Sequence, residues 1–290
     1  MAAGFRFSRV VVVESLEAHE FASGTRLVEY LQTQLGGLEA SLPVVRVSCE
    51  SAIEFRDTMS RLTAEAARGE IPLLHVECHG DEGFGLEFSN GSTLGWEELS
   101  LVLERLNRAT HLNLVAVFAA CFGAHFAAQL VPLRGAPCFA LIAPTHTVDA
   151  GEILGSFREF YTTLFRSLDA GQAAAAVVKR GLSTGTWFAD TAERWFVTMI
   201  TTYVQTHVTW DAMIARAESI RSKVPPEARP GRARALRQLR KAQQQELREN
   251  YFKTYFLVAE FPHHEARFCE AQRRLTSALD EFAQTGRYVL

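Results

Sequence analysis

The sequence predicts an α/β protein: a mostly parallel β-sheet flanked by helices, followed by a helical carboxyl-terminal region. Three observations predict it. Short continuous apolar runs recur along the first half: Val10-Val11-Val12-Val13, Leu73-Leu74-His75-Val76-Glu77-Cys78, and Leu114-Val115-Ala116-Val117-Phe118-Ala119-Ala120-Cys121. Such runs read as strands covered on both faces. Segments with helical spacing separate the early runs, and a β-α-β-α-β order implies parallel pairing through right-handed crossovers. From about Gly185 the strand signal stops.

Each element follows from its residues. Val10 to Val13 is a central strand. His19 to Leu35 carries Phe21, Leu27, Leu31 and Leu35 at helical spacing, and Gly36-Gly37 stops it. Leu42 to Cys49 reads as the second strand and Ile53 to Ala67 as the second helix. Phe84 to Phe88 and Ser92 to Leu94 flank Ser89-Asn90-Gly91, a hairpin signal. Trp96 to Leu106 reads as a helix with Glu97 and Glu98 in its first turn, where the helix dipole favours anions. Gly123 to Leu130 reads as a helix, Phe139 to Ala143 as a strand, and Gly151 to Leu168 and Ala170 to Arg180 as helices. Asp190 to Arg221 reads as one long helix, in which Trp195, Phe196, Tyr203 and Trp210 form an aromatic stripe, read as core in preference to a docking face. Pro225-Pro226-Glu227-Ala228-Arg229-Pro230-Gly231 breaks it. Two helices, Arg232 to Leu257 and His264 to about Phe282, complete the chain. The expected division is residues 1–184 and 185–290.

Composition bounds the function. The chain has 290 residues, 48% hydrophobic and 22% charged, which suits a folded protein rather than a disordered one. A net charge of -3 gives no reason to expect nucleic acid or an anionic membrane as the main partner. The arginines at 229, 232, 234, 237 and 240 read as a solvated face or a contact for an acidic protein. Five irregularly spaced cysteines without a CxxC pair imply a reduced, cytoplasmic compartment. The amino terminus lacks a signal-peptide layout. Leu112 to Val131 is interrupted by Asn113, Gly123, His125 and Gln129, so it reads as strand, turn and helix rather than a membrane span.

The informative pair is His79-Gly80 at the end of one buried strand and Cys121 at the end of another. Open α/β sheets place their chemistry at the carboxyl ends of their strands. A thiol and an imidazole brought together there are a nucleophile and its base. The N–H groups of Gly80 and Cys121 are candidate oxyanion donors. Alternation puts His75 and Glu77 on the His79 side and Cys78 on the other. A buried Glu77 needs a partner, and it either orients an active-site group or braces a loop. The same alternation splits His75, Cys78, His79 and Cys121 across two faces, against a zinc site. His125 reads as a polar residue at a helix end, and His263-His264 as surface. No cofactor is required.

His75-Val76-Glu77-Cys78-His79-Gly80, the hairpin ending in Thr93-Leu94-Gly95-Trp96-Glu97-Glu98-Leu99, and Ala119-Ala120-Cys121 together resemble the CHAT branch of the caspase-like cysteine peptidases (clan CD). The resemblance spans roughly residues 8 to 182 and extends to Ala140-Leu141-Ile142-Ala143-Pro144-Thr145 and Phe157-Arg158-Glu159-Phe160-Tyr161. It implies a caspase-hemoglobinase sandwich, a His79/Cys121 dyad, and cleavage of a dedicated partner protein, in bacteria often in defence or programmed death. Two places before the cysteine, where metacaspases often carry Asp and caspases Gln, this chain has Ala119. Asp149 and Glu152, with Ala119 and Glu77, are then candidates for a substrate pocket, though acids at a helix start are favoured anyway. The helical carboxyl-terminal region would hold an activator, the substrate or a neighbouring subunit. The exposed linker around 225–235 is a candidate autoprocessing site. The alternative is a non-catalytic interaction module on the same fold.

Overall fold

The computed structural model describes residues 5–35, 42–129 and 133–290; the Gly36-Gly37 stop and Leu130 fall outside them. The described residues form two compact units. The first takes everything up to Ala192 except 133–135, and the second holds Glu193–Leu290 with 133–135.

The first unit is built on one sheet. Its strands are β1 (Arg9–Ser15), β2 (Val44–Ser48), β3 (Pro72–Asp81), β4 (Gly85–Glu87), β5 (Thr93–Leu94), β6 (Val115–Ala119), β7 (Ala140–Pro144) and β8 (Trp187–Thr191). The main order is β2-β1-β3-β6-β7-β8. The first five of these pair in parallel, and β8 closes the far edge antiparallel to β7. This is the mostly parallel α/β sheet that the apolar runs predict. Val10 to Val13 and Leu73, Leu74 and Val76 are at most 1% exposed. Each such side chain contributes roughly 2 kcal/mol through burial.

Helices α1 (Ser23–Leu35), α2 (Ala52–Ala66), α3 (Trp96–Ala109), α4 (Ala150–Ser167) and α5 (Ala170–Arg180) flank the sheet, with α1 against α4, α4 against α5, and α2 against α3. Ser51 caps α2 by accepting from the Glu54 N–H. Asp149 caps α4 by accepting from the N–H groups of Gly151 and Glu152. The hairpin forms where Asn-Gly predicts it: Gly91 has φ +79, and the Asn90 side chain accepts from the Ser92 N–H at 2.9 Å. It pairs with an extension of β3, with His79 opposite Glu87 and Gly80 opposite Leu86.

Several expectations need correction. The first helix starts at Ser23 rather than His19, so residues 16–22 are a loop. Gly123–Gln129 is a 3₁₀ helix. β8 lies beyond the boundary expected at 184/185 and belongs to the sheet. The long helix expected over 190–221 is two, α6 (Ala192–His207) and α7 (Trp210–Ser222). Thr209 separates them by capping α7 and bridging to Tyr288.

In the second unit, α8 (Arg232–Gln245) passes through a π-helical turn, Glu246–Asn250, into α9 (Tyr251–Tyr255), and α10 (His264–Arg267) leads to α11 (Cys269–Gln284). Its core is aromatic: Phe196, Phe252, Tyr255, Phe256 and Phe268 are fully buried, and Phe256 stacks on Phe268 at 4.5 Å. His264, expected at the surface, is buried there with Nδ1 2.8 Å from the Phe256 carbonyl. Trp210, expected in the core, is 43% exposed.

Candidate active site

Connections leave β1 and β3 in opposite directions, toward β2 and toward β6, so a topological switch point lies between these neighbours. Crevices of this kind are where open α/β sheets bind ligands. The last parallel pair between β3 and β6 is Glu77 with Ala119. Two residues on stand His79, still in β3, and Cys121, in the turn just after β6. Both line one cavity of about 120 Å³, whose walls include Leu16, Phe21, Ala119 and Ile153.

The backbone around Cys121 is specialised. A Cβ on Gly80 would stand 2.1 Å from the Cys121 carbonyl oxygen and 3.2 Å from its nitrogen. The two backbone segments touch there, and only glycine permits it. After Cys121 the chain turns sharply: Phe122 takes the left-handed region at φ +57, and its N–H donates to the His146 carbonyl at 3.3 Å. A left-handed non-glycine residue costs about 1–2 kcal/mol, and such strain gathers at functional sites. The turn ends β6 and presents Cys121 at the cavity.

The five cysteines separate by environment. Cys49, Cys78 and Cys138 are buried, Cys121 is half-buried and Cys269 exposed. Burial pushes the Cys49 and Cys138 thiols up. Burial pushes the Cys78 thiol up as well, helped by Glu77, Cys121 and Cys49. Cys78 touches the cavity, yet its environment disfavours the thiolate that reacts. Cys121 is the half-accessible thiol that shares the cavity with an imidazole.

That imidazole has a partner that the sequence did not reveal. His79 Nε2 lies 2.6 Å from Glu20 Oε1, in the β1–α1 loop. The other Glu20 oxygen accepts from the Glu17 N–H at 2.6 Å. Burial alone would raise the Glu20 carboxyl, but the Glu17 N–H and His79 outweigh it and hold it below its ordinary value. A carboxylate only accepts, so the neutral His79 ring carries its proton on Nε2 and leaves Nδ1 unprotonated.

Beneath this loop lie two buried carboxylates, Glu14 and Glu77, paired in register across β1 and β3. Ser23 donates to Glu77 Oε2, and His75 Nε2 lies 2.9 Å from Glu77 Oε1. The Tyr161 hydroxyl stands 3.2 Å from His75 Nδ1. Burial, then Glu77, holds this phenol well above its usual range, so it donates. Glu14 accepts from the Thr25 N–H at 2.8 Å, the Thr25 hydroxyl at 2.7 Å and Arg46 at 2.8 Å. Gly24 fits between them: its Cβ would come within 2.9 Å of Glu14 Oε1 and 3.1 Å of Glu77 Cγ. The two acids therefore clamp the first turn of α1, which fixes the end of the loop bearing Glu20. Glu77 braces a loop and also lines the cavity.

Asp149 is exposed and spends its carboxylate on the α4 cap. Glu152 is half-buried, and the cavity wall from α4 comes from Ala150 and Ile153 instead. His125 packs edge-on against Phe122 at 5.6 Å. No group of three metal-ligating side chains exists among the described residues.

No protein-family model matches the chain, and no curated protein matches it. Among solved structures it is similar to a secreted C11 cysteine protease from Bacteroides thetaiotaomicron, solved in complex with an irreversible peptide inhibitor. The likeness covers 83% of each chain at 10% identity, with a TM-score of 0.44.

Proposed function

We propose that the chain is a caspase-like cysteine endopeptidase of the CHAT type that uses Cys121 as nucleophile and His79 as proton carrier. One observation carries the reading: a half-accessible thiol and an imidazole line one cavity at neighbouring strand ends, with the Gly80 backbone against Cys121. Cys121 Sγ attacks the scissile carbonyl while its proton passes to His79. The N–H groups of Gly80 and Cys121 are the proposed donors to the oxyanion. His79 returns the proton to the leaving amine as the C–N bond breaks, leaving a thioester. Water then attacks, giving a proton to His79, and the new carboxylate departs as the thiol is restored.

The substrate is a protein partner. An activator or neighbouring subunit acts through the helical carboxyl-terminal region, in a cytoplasmic bacterial defence or cell-death setting. The sequence resemblance supports that context. No described helix is long and apolar enough to cross a membrane.

Labelling with a peptide carrying a thiol-reactive ketone tests the dyad. Cys121 should react fastest, the reaction should vanish in Cys121→Ala, and it should fall steeply in His79→Ala. Equal labelling of Cys121 and Cys269 would turn the reading to a non-catalytic interaction module.

A further inference from the structure

We propose that Glu20 is the third member of this site, a positioning residue that holds His79 in the tautomer and orientation that leave Nδ1 free to exchange protons with Cys121. The proposal deepens the peptidase reading and rests on it for the identity of the proton acceptor.

Three observations carry it. The first is the contact itself: Glu20 Oε1 and His79 Nε2 are 2.6 Å apart, the separation of a charge-assisted hydrogen bond. The second is that Glu20 is held from its other side, since Oε2 takes the Glu17 N–H and the Glu20 N–H donates to the Glu17 carbonyl at 3.0 Å. A carboxylate held through Oε2 by its own loop sets the ring's orientation rather than following it. The third is the foundation below. Ser23 and Thr25, only three and five residues after Glu20, are tied to the buried Glu77 and Glu14. The loop therefore ends on an anchor in the core, which is more than a surface ion pair requires.

The chemistry follows. When Cys121 loses its proton, His79 becomes an imidazolium, and a carboxylate on its far nitrogen stabilises that charge. It also selects the Nε2–H tautomer of the neutral ring, as the buried acid of a Ser-His-Asp triad does. The side chain of Glu20 is 22% exposed and that of His79 52%, so the effect is smaller than in a fully buried triad. Other charged groups face the pair. Glu87 stands opposite His79 on β4, Glu77 lies two residues earlier on the same side of β3, and Glu17 and His19 flank Glu20 in its loop. Every substitution is therefore compared with the wild type and with Glu87→Gln.

The test uses the full chain with labelled histidine. Nuclear magnetic resonance of the His79 ring gives its titration and tautomer in wild type, Glu20→Gln, Glu20→Asp and Glu87→Gln. Alkylation of Cys121 by iodoacetamide across pH, read by mass spectrometry of its peptide, gives reactivity without any substrate. Glu20→Gln should abolish the Nε2–H preference of the neutral His79 ring. It should slow Cys121 labelling about ten- to a hundredfold. Glu20→Asp should restore part of the loss, and Glu87→Gln should leave the tautomer unchanged. A His79 tautomer that ignores Glu20→Gln, in a protein that melts normally, would overturn the proposal. If His79 responds to Glu20→Gln but no peptide is cut and Cys121 labels no faster than Cys269, the Glu20–His79 coupling stands and the peptidase reading falls.

Discussion

The two compact units differ in what they bury. The second unit fills its interior with Phe196, Phe252, Tyr255, Phe256 and Phe268, and its buried polar residues are few, Gln243 and His264 among them. The first unit also has an apolar core, yet it takes Glu14, His75 and Glu77 out of water near the carboxyl edge of its sheet. Burying a charge without partners is costly, and here each oxygen of both carboxylates has a hydrogen-bond partner. An aromatic core serves stability alone. A polar one under a loop that carries a histidine's partner serves geometry as well.

Substitutions in each unit sharpen or break this contrast. Gly80→Ala has the largest expected effect on the site, because the new Cβ meets the Cys121 carbonyl oxygen. Cys121 labelling by the peptide ketone should fall about a hundredfold, as misplacement by about an ångström does. Normal labelling of Gly80→Ala would mean that the contact does not shape the site. Phe256→Ala should cost about 3–5 kcal/mol in a urea titration while Cys121 in the folded protein labels at the wild-type rate. Glu77→Ala strands Ser23 and His75, at about 1–3 kcal/mol for each orphaned polar group, and should slow labelling by loosening the Glu20 loop. If it lowers stability alone, the clamp is only structural.

Smaller effects come with pH. Glu20 is held below its ordinary 4.5, so its contribution is fully present above that value and is lost as pH falls through its depressed value. In urea titrations the wild type should lose its difference from Glu20→Gln over that acid range. At the alkaline end, the raised thiols of Cys49, Cys78 and Cys138 stay protonated in the folded chain while their unfolded counterparts ionise near 9.0. They therefore stabilise the fold below that pH, and this contribution fades as pH rises toward their folded values. Alkylation just below that range should reach Cys121 and Cys269 first and the other three only after denaturation.

Much of the fold was legible because the strands announce themselves. Val10 to Val13 and Leu114 to Phe118 are apolar without interruption, and Asn90-Gly91 is chemically committed to a turn. His79 and Cys121 stand out in the sequence only as a pair, at the ends of consecutive core strands, and the structure brings both to one cavity. β8 was not legible, because Trp187-Phe188-Ala189-Asp190-Thr191 is short, half-polar and stabilised by its edge pairing with β7. The break between α6 and α7 carries no Pro or Gly and depends on the Thr209 cap and its bridge to Tyr288. Glu20 was hidden because the spacing of Phe21, Leu27 and Leu31 extends the first helix back across it. Its meaning comes from a contact with a residue 59 positions away. Asp149 shows the reverse: an acid that reads as a pocket residue by resemblance serves as a helix cap by geometry.

Cleavage of a diverse peptide library by wild type beside Cys121→Ala tests the central claim most directly, with the new termini sequenced to read the residue before each cut. The account predicts cuts by the wild type that disappear in Cys121→Ala. Equal cleavage by both would contradict it, as would silence from both in a protein whose Cys121 labels no faster than Cys269.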